Sequence, residues 1–497
     1  MGYLLALDAG TSSMRGGIWD HTGALLWMHQ AAYRVRSAQG GRVEQDPRSF
    51  LSALEEIAAA AGACCREHGI ELAGVGLASQ RSSLIAVDEN GGALRDAIMW
   101  QDKRSEPLCA AVDERYDPYA VCGMRPTPVY TGPKILWLRQ NEPDVFMSAY
   151  KFLGVHEYLL HRMTGRFVTD ESVASRSCML DLYTRRWSPR LLKAFGAPPE
   201  KLCEIVPPGA ICGETAPDFT ALLGQPRALP VVSAGGDQQC AALGLGVTRA
   251  CVLSINCGTG AYVAAQAQSP VLDPRKDVIC NCFALPGAYV LEASTMASGM
   301  VYDWFVHAVC QSTDYQSADA GAAASPPGAG GVLALPDLMG RGMPAWDGAA
   351  RGVFYNIGFH TTRGDLARAV LEGLAAGLCA CVELMRAAGV DPAEAVCSGG
   401  LSKSPLFVQI LADMTGLKIQ TPRVCEATLR GVWASSAAAF GWYADMREAA
   451  GAPPAQARYR PDGATGAVYK KANEARRLLY DALDTRRLGS LLGSVCG

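Results

Sequence analysis

The stretch Tyr3–Asp20, YLLALDAGTSSMRGGIWD, decides the fold. An apolar strand pattern runs to Asp8, and the chain turns through Gly10, Thr11, Ser12 and Ser13. It leaves as a second apolar strand through Ile18. Gly10 allows a tight turn with close backbone approach to a ligand. Successive N–H groups and hydroxyls in such a turn can cradle phosphate oxygens. A carboxylate at the end of the strand, here Asp8, can position a hydrated magnesium ion. Taken alone, the stretch also fits an ordinary hairpin with a polar tip.

Residues 251–265, CVLSINCGTGAYVAA, repeat the plan: strand, Gly258-Thr259-Gly260 turn, strand. Two such units far apart in one chain point to a duplicated architecture. A chain of 497 residues exceeds one ordinary core, so two domains are expected, with a boundary near 247–250. Segments 73–79 and 84–87 read as strands. Between the turn and these strands, Asp46 and Pro47 open a helix whose Phe50, Leu54, Ile57 and Ala61 share one face. Strands alternating with helices predict an α/β fold.

Composition narrows the function. The chain is 49% hydrophobic and 19% charged, with 45 basic and 48 acidic residues and a net charge of −3. Nothing in that balance favours nucleic acid or an anionic membrane as partner. No apolar run reaches the roughly 20 residues that span a bilayer, and no leader pattern is visible. The 18 cysteines are scattered without paired CxxC sets, which reads as reduced, buried thiols in a cytoplasmic protein.

Further along, Lys134 in PTPVYTGPKILWL (126–138) reads as a charge on a helix surface, and 207–230 as a connection over the surface. In PVVSAGGDQQCAALGLGV (230–247), a strand ends at Gly235-Gly236 and Asp237 opens a small-residue helix. Asp237 fits a plain helix N-cap as well as a functional carboxylate. Residues 318–331, ADAGAAASPPGAGG, read as a flexible loop, 364–386 as a long helix, and 396–415 as strand, glycine turn and helix. The tail looks peripheral. There is no GxxxxGK[ST], no GxGxxG after the first strand, and no GxSxG or HExxH. P-loop ATPases, dehydrogenases and two hydrolase classes therefore lack their marks.

As a set, DAGTSSMR (8–15), GRVEQDP (41–47), SQRSS (79–83), WQDKR (100–104), KILWL (134–138), VTDESVASR (168–176), GGDQ (235–238), CGTG (257–260), WDGAARGVF (346–354), DLARAVLEG (365–373) and SGGLSKSP (398–405) resemble the FGGY family of carbohydrate kinases. The family includes glycerol kinase and xylulokinase, and the resemblance covers roughly residues 3–445. It implies the actin-like ATPase fold, two duplicated ribonuclease-H-like domains with a cleft between them. Residues 1–247 would form the sugar-binding domain with the catalytic Asp, 248–450 the nucleotide-binding domain, and 451–497 a peripheral tail.

The resemblance also implies roles. Asp237 would be the general base for the substrate hydroxyl. Thr11, Ser12, Ser13 and Arg15 would meet the ATP phosphates from one side, Gly258 and Thr259 from the other. Asp8 would hold Mg2+ through water. Gly299, Gly400 and Ser404 would surround the nucleoside. Arg81, Trp100 and Gln238 would face, with Asp237, a small-molecule sugar or polyol. A homodimer is a family expectation.

Two positions depart from glycerol kinase. Ser82 stands where that enzyme has Glu, and its substrate-facing Tyr falls at Val129, next to Tyr130. Losing those contacts favours a ketose or polyol of four to six carbons, such as xylulose, with glycerol as the alternative. Phe359 and the spacing before Asp365 depart from the family's second signature. An actin-like chaperone ATPase and a sugar-binding regulator without turnover are the competing classes.

Overall fold

The first strand, β1 (Tyr3–Ala9), pairs antiparallel with β2 (Ser13–Asp20) in the register Tyr3↔Asp20 to Ala9↔Met14. A third strand, β3 (Leu25–Ala32), which the sequence reading does not separate, adds antiparallel to β2. The computed structural model describes residues 2–38, 41–258, 260–296, 298–423, 426–485, 487–488 and 491. The helix α1 (Arg48–His68) buries Phe50, Leu54, Ile57 and Ala61 against this sheet, where they meet Leu5, Leu7, Met14 and Ile18. It begins one residue after Pro47, and the Asp46 carboxylate accepts the Arg48 N–H at 3.0 Å. Burial of Phe50, Leu54 and Ile57 contributes about 2 kcal/mol each, so this face fixes the layer order.

The strand β4 (Leu72–Ser79) runs parallel to β1. Among the helices that follow are α2 (Thr131–Asn141) and the short α3 (Glu171–Ser175). The chain then forms β5 (Ile211–Glu214), β6 (Pro230–Gly236) and α4 (Asp237–Gly244). β6 lies parallel to β4, and β5 closes the edge antiparallel to β6. The sheet order is β5-β6-β4-β1-β2-β3.

The chain divides into two units. Met1–Thr248, Gln266–Val290 and Val424–Pro453 make unit 1; Arg249–Ala265, Leu291–Arg423 and Pro454–Gly497 make unit 2. Two later segments thus return to unit 1, among them the helix Ala427–Ala439.

Unit 2 is built around β7 (Val252–Cys257), β8 (Ala261–Ala267) and β9 (Tyr289–Thr295). After the long helix α5 (Arg363–Ala387) come β10 (Glu394–Ser398), α6 (Pro405–Thr415) and β11 (Lys418–Pro422). The strand β12 (Ala455–Tyr459) and helix α7 (Gly463–Ala482) complete it. β8 is antiparallel to β7, β10 and β11 are parallel to it in succession, and β12 is antiparallel to β11. Six of the seven strands of this sheet, in the order β9-β8-β7-β10-β11-β12, repeat the order of unit 1, down to the antiparallel edge strand. This is the duplicated ribonuclease-H-like arrangement.

Four expectations are corrected. The tail is not peripheral: β12 pairs with β11, and α7 buries Tyr469 and Arg476, the latter reaching Glu372 of α5 at 3.2 Å. Residues 318–331 begin inside a helix, Tyr315–Ala324, because Asp314 caps it through Gln316 and Ser317 N–H and alanine sustains it. The 207–230 connection contains β5 and a helix, Pro217–Leu222, with Pro at its first turn. Lys134 is fully buried, not a surface charge. Its ammonium donates to the carbonyls of Pro128 (2.7 Å), Val129 and Tyr130 (3.3 Å), and burial lowers its pKa to about 7.

Candidate active site

In unit 1 the carboxyl ends of β1, β4 and β6 lie side by side, since Asp8 pairs with Ala78 and Gly236 with Ser79. Open α/β sheets bind ligands at such strand ends. The turn after β1 closes through Gly10 N–H to the Ser13 carbonyl at 3.0 Å. The Gly10 carbonyl accepts from Gln80 Nε2 (2.9 Å) and from the Tyr33 hydroxyl. Ser12 is exposed and Thr11 and Ser13 are half-buried, so all three can face a ligand. Trp100, expected on the sugar side, donates its indole N–H to Thr11 Oγ1 at 3.0 Å and thereby braces the turn.

The charged groups are interlocked. Asp237 opens α4, and its Oδ1 lies 3.3 Å from Arg81 Nε. Gln238 is half-buried, and its backbone N–H donates to Asp237 Oδ1 at 2.7 Å. Arg15, across the hairpin from Asp8, pairs with Glu426 at 3.1 Å. Burial, and then the negative charge of Asp237, push the Asp8 pKa up to about 7; Arg15 counters this and Glu426 adds to it. Asp8 Oδ1 is buried without a hydrogen-bond partner. An orphaned carboxylate oxygen facing other carboxylates fits a cation. Among the described residues no three His, Cys, Asp or Glu side chains cluster as metal ligands. A single carboxylate such as Asp8 is compatible with Mg2+, which keeps several waters and phosphate oxygens as its other ligands.

In unit 2 the corresponding strand ends carry glycines. Gly299 N–H donates to the Gly258 carbonyl at 2.8 Å, and a Cβ on Gly299 would stand 2.7 Å from that oxygen. Gly399 has φ +92°, and a Cβ there would lie 2.6 Å from the Cys257 carbonyl. Gly400 is exposed with open space around its α-carbon. Ser404 caps α6, its hydroxyl accepting the Phe407 N–H at 3.3 Å. The structure thus gathers Gly258, Gly299 and the Gly399-Gly400 turn. Thr259 lies outside the described residues.

Sequence reasoning missed Glu426, Gln239, Gln80 and Tyr33. Glu426 comes from a segment 411 residues after Arg15, and no local pattern marks it. Gln239 stood inside the quoted PVVSAGGDQQC segment, and the doubled Gln was its only signal.

The comparisons with known proteins agree with this geometry. The family model described as "FGGY family of carbohydrate kinases, N-terminal domain" matches residues 3–244, and that of the C-terminal domain matches 253–440. A glycerol kinase of Leptothrix cholodnii is 32% identical over 470 residues, 90% of this chain and 93% of that protein. A glycerol kinase of Methylibium petroleiphilum is 32% identical over 488 residues, 93% and 95% of the two chains. A ligand-bound xylulose kinase of Lactobacillus acidophilus superposes with a TM-score of 0.91 at 25% identity, over 97% of this chain and 98% of that one.

Proposed function

This chain belongs to the FGGY family of carbohydrate kinases, phosphotransferases that use ATP as phosphoryl donor, and on that premise we propose that Asp237 is the base of its reaction. The observation that carries the reading is the Arg81–Asp237 pair at the end of β6. The acceptor hydroxyl lies against both. Its proton passes to the Asp237 carboxylate as its oxygen bonds to the γ-phosphorus, and the bond to the ADP oxygen breaks with its electron pair. Arg81 and Gln238 orient the acceptor. In unit 1, Thr11, Ser12, Ser13 and Arg15 hold phosphate oxygens, with Asp8 fitted to hold Mg2+. In unit 2, Gly258 and Thr259 receive phosphates, and Gly299, Gly400 and Ser404 the nucleoside. Mg2+ supplies charge neutralisation, which a loose phosphoryl-transfer transition state needs more than covalent help.

For the acceptor, we favour a ketose or polyol of four to six carbons. The Ser82 hydroxyl donates to the Arg176 carbonyl at 3.0 Å and is spent on the backbone. Tyr130 is buried with the Arg176 guanidinium 5.0 Å above its ring, which argues against its swinging into the place of Val129. Two polar contacts to a small triol are thus replaced by neutral or apolar groups. The second reading is glycerol, supported by the names of the relatives.

A coupled ADP-release assay with Mg-ATP tests both. The panel holds glycerol, erythritol, tetruloses, pentuloses, hexuloses and their polyols. A longer ketose or polyol exceeding glycerol in kcat/KM by about 100-fold supports the first reading. Glycerol standing above the rest replaces it with the second. ATP turnover indifferent to every acceptor removes both.

A further inference from the structure

Behind Arg81 and Asp237 lies a buried polar network that the steps above do not use. Asp170, Ser172, Ser233, Gln239 and His156 all have zero exposure. Two chains of hydrogen bonds converge on the Asp170 carboxylate. In the first, the Gly236 N–H donates to Ser172 Oγ (3.1 Å), which donates to Asp170 Oδ1 (2.6 Å). In the second, His156 Nε2 lies 2.7 Å from Ser233 Oγ, which donates to Asp170 Oδ2 (2.6 Å). The Ser172 and Val173 N–H groups also point at Oδ1, so the carboxylate is held on all sides.

A branch leaves this network toward the site. The Ser172 carbonyl accepts from Gln239 Nε2 at 3.4 Å, and Gln239 Oε1 accepts from Arg81 Nη1 at 3.0 Å. Arg81 Nε then lies 3.3 Å from Asp237 Oδ1. The two glycines before Asp237 are tailored to the same contacts. Gly235 has φ +122°, and a Cβ there would stand 2.5 Å from Ser172 Oγ. A Cβ on Gly236 would stand 2.5 Å from both Arg81 Cδ and Gln239 Oε1. Apart from His156 Nδ1, which has no partner, these side chains are hydrogen-bonded to one another, and buried networks so paired fix one geometry.

We propose that Ser172 and Gln239 are positioning residues of the transfer site: the Ser172 hydroxyl fixes the Gly235–Gly236 peptide, the one just before the residue that leads into Asp237, and Gln239 holds Arg81 against Asp237. The inference rests on Asp237 being the base. Its two arms act on different groups and carry different signatures. Misaiming the base slows the chemical step, because misplacement by about 1 Å costs as much as 100-fold. Releasing Arg81 weakens acceptor binding.

The test compares Ser172→Ala, Gln239→Met and Asp237→Asn in the full chain, with the fastest acceptor of the panel above. Thermal melting reports the folded fraction. S172A is expected to lower kcat about 10- to 100-fold with acceptor KM within about 2-fold. Q239M, which keeps the side-chain volume, is expected to raise acceptor KM about 10-fold with kcat within about 3-fold. A merely structural role lowers the melting temperature and leaves both constants unchanged per folded molecule; that result overturns the inference. Should one variant not fold, the other arm decides by the same criterion. D237N inactive beside unaltered S172A and Q239M overturns the network alone. D237N active overturns the base assignment and with it the network.

Discussion

Unit 1 and unit 2 use one sheet twice and furnish it oppositely. In both, the first strand pairs antiparallel with the second and parallel with a later one, whose end lies beside its own. Unit 1 places charges there: Asp8, Arg15, Arg81 and, one strand further, Asp237. Unit 2 places glycines there, and backbone meets backbone where Gly299 and Gly399 press on Gly258 and Cys257. The sheet therefore supplies positions, not chemistry. Facing charges suit proton transfer and a cation. Missing side chains suit close approach of a flat or phosphorylated ligand.

That division can be broken most directly at Asp237. D237N is expected to lower kcat by about 1,000-fold, within the range for a lost general base. Nucleotide affinity, read by calorimetry, stays within about 2-fold. Loss of nucleotide binding instead would blur the two units' roles. The converse substitution is Gly299→Ala, whose Cβ would meet the Gly258 carbonyl at 2.7 Å. It is expected to raise KM for ATP about 10-fold and leave acceptor KM unchanged. A G299A enzyme impaired toward its acceptor alone would reverse the assignment.

What the sequence made legible follows the same line. The β1–turn–β2 hairpin and its echo at β7–β8 were readable because strand periodicity and glycine turns are local signals. Asp237 at the head of α4 was readable from the Gly235-Gly236 punctuation. The insertion of β4 between β1 and β6 was not, because pairing across some 150 residues leaves no mark in a window of ten. Lys134 shows the limit sharply. A lysine in a helix defaults to the surface, yet here the carbonyls of 128–130 needed a donor. Only the folded loop reveals that demand. The Arg81–Asp237 contact and the Glu426 partner of Arg15 are likewise tertiary facts, and the Ala-rich helix Tyr315–Ala324 was hidden by the glycines and prolines that follow it.

The smallest expected shift, one of melting temperature, sharpens the contrast most, because it separates charge held for a ligand from charge held for stability. Asp8 has a folded pKa of about 7 against an ordinary 3.8, raised first by burial and then by Asp237. A raised carboxyl pKa favours the folded state only while the group is protonated. The cost is absent near pH 4, grows as pH rises toward 7, and is complete above it. Asp8→Asn removes the charge and keeps the shape. In the free protein it is expected to raise the melting temperature by a few degrees near pH 8 and to change it little near pH 4. Mg-ATP reverses the order, because a bound cation relieves the repulsion only where the carboxylate is present. The wild-type chain should then gain more from Mg-ATP than D8N does, and D8N should be nearly inactive. Stability falling in D8N near pH 8 without ligand would mean that Asp8 serves the fold, as the glycines of unit 2 partly do. Stability rising there, with the order reversed by Mg-ATP, marks a carboxylate kept under strain for its ligand.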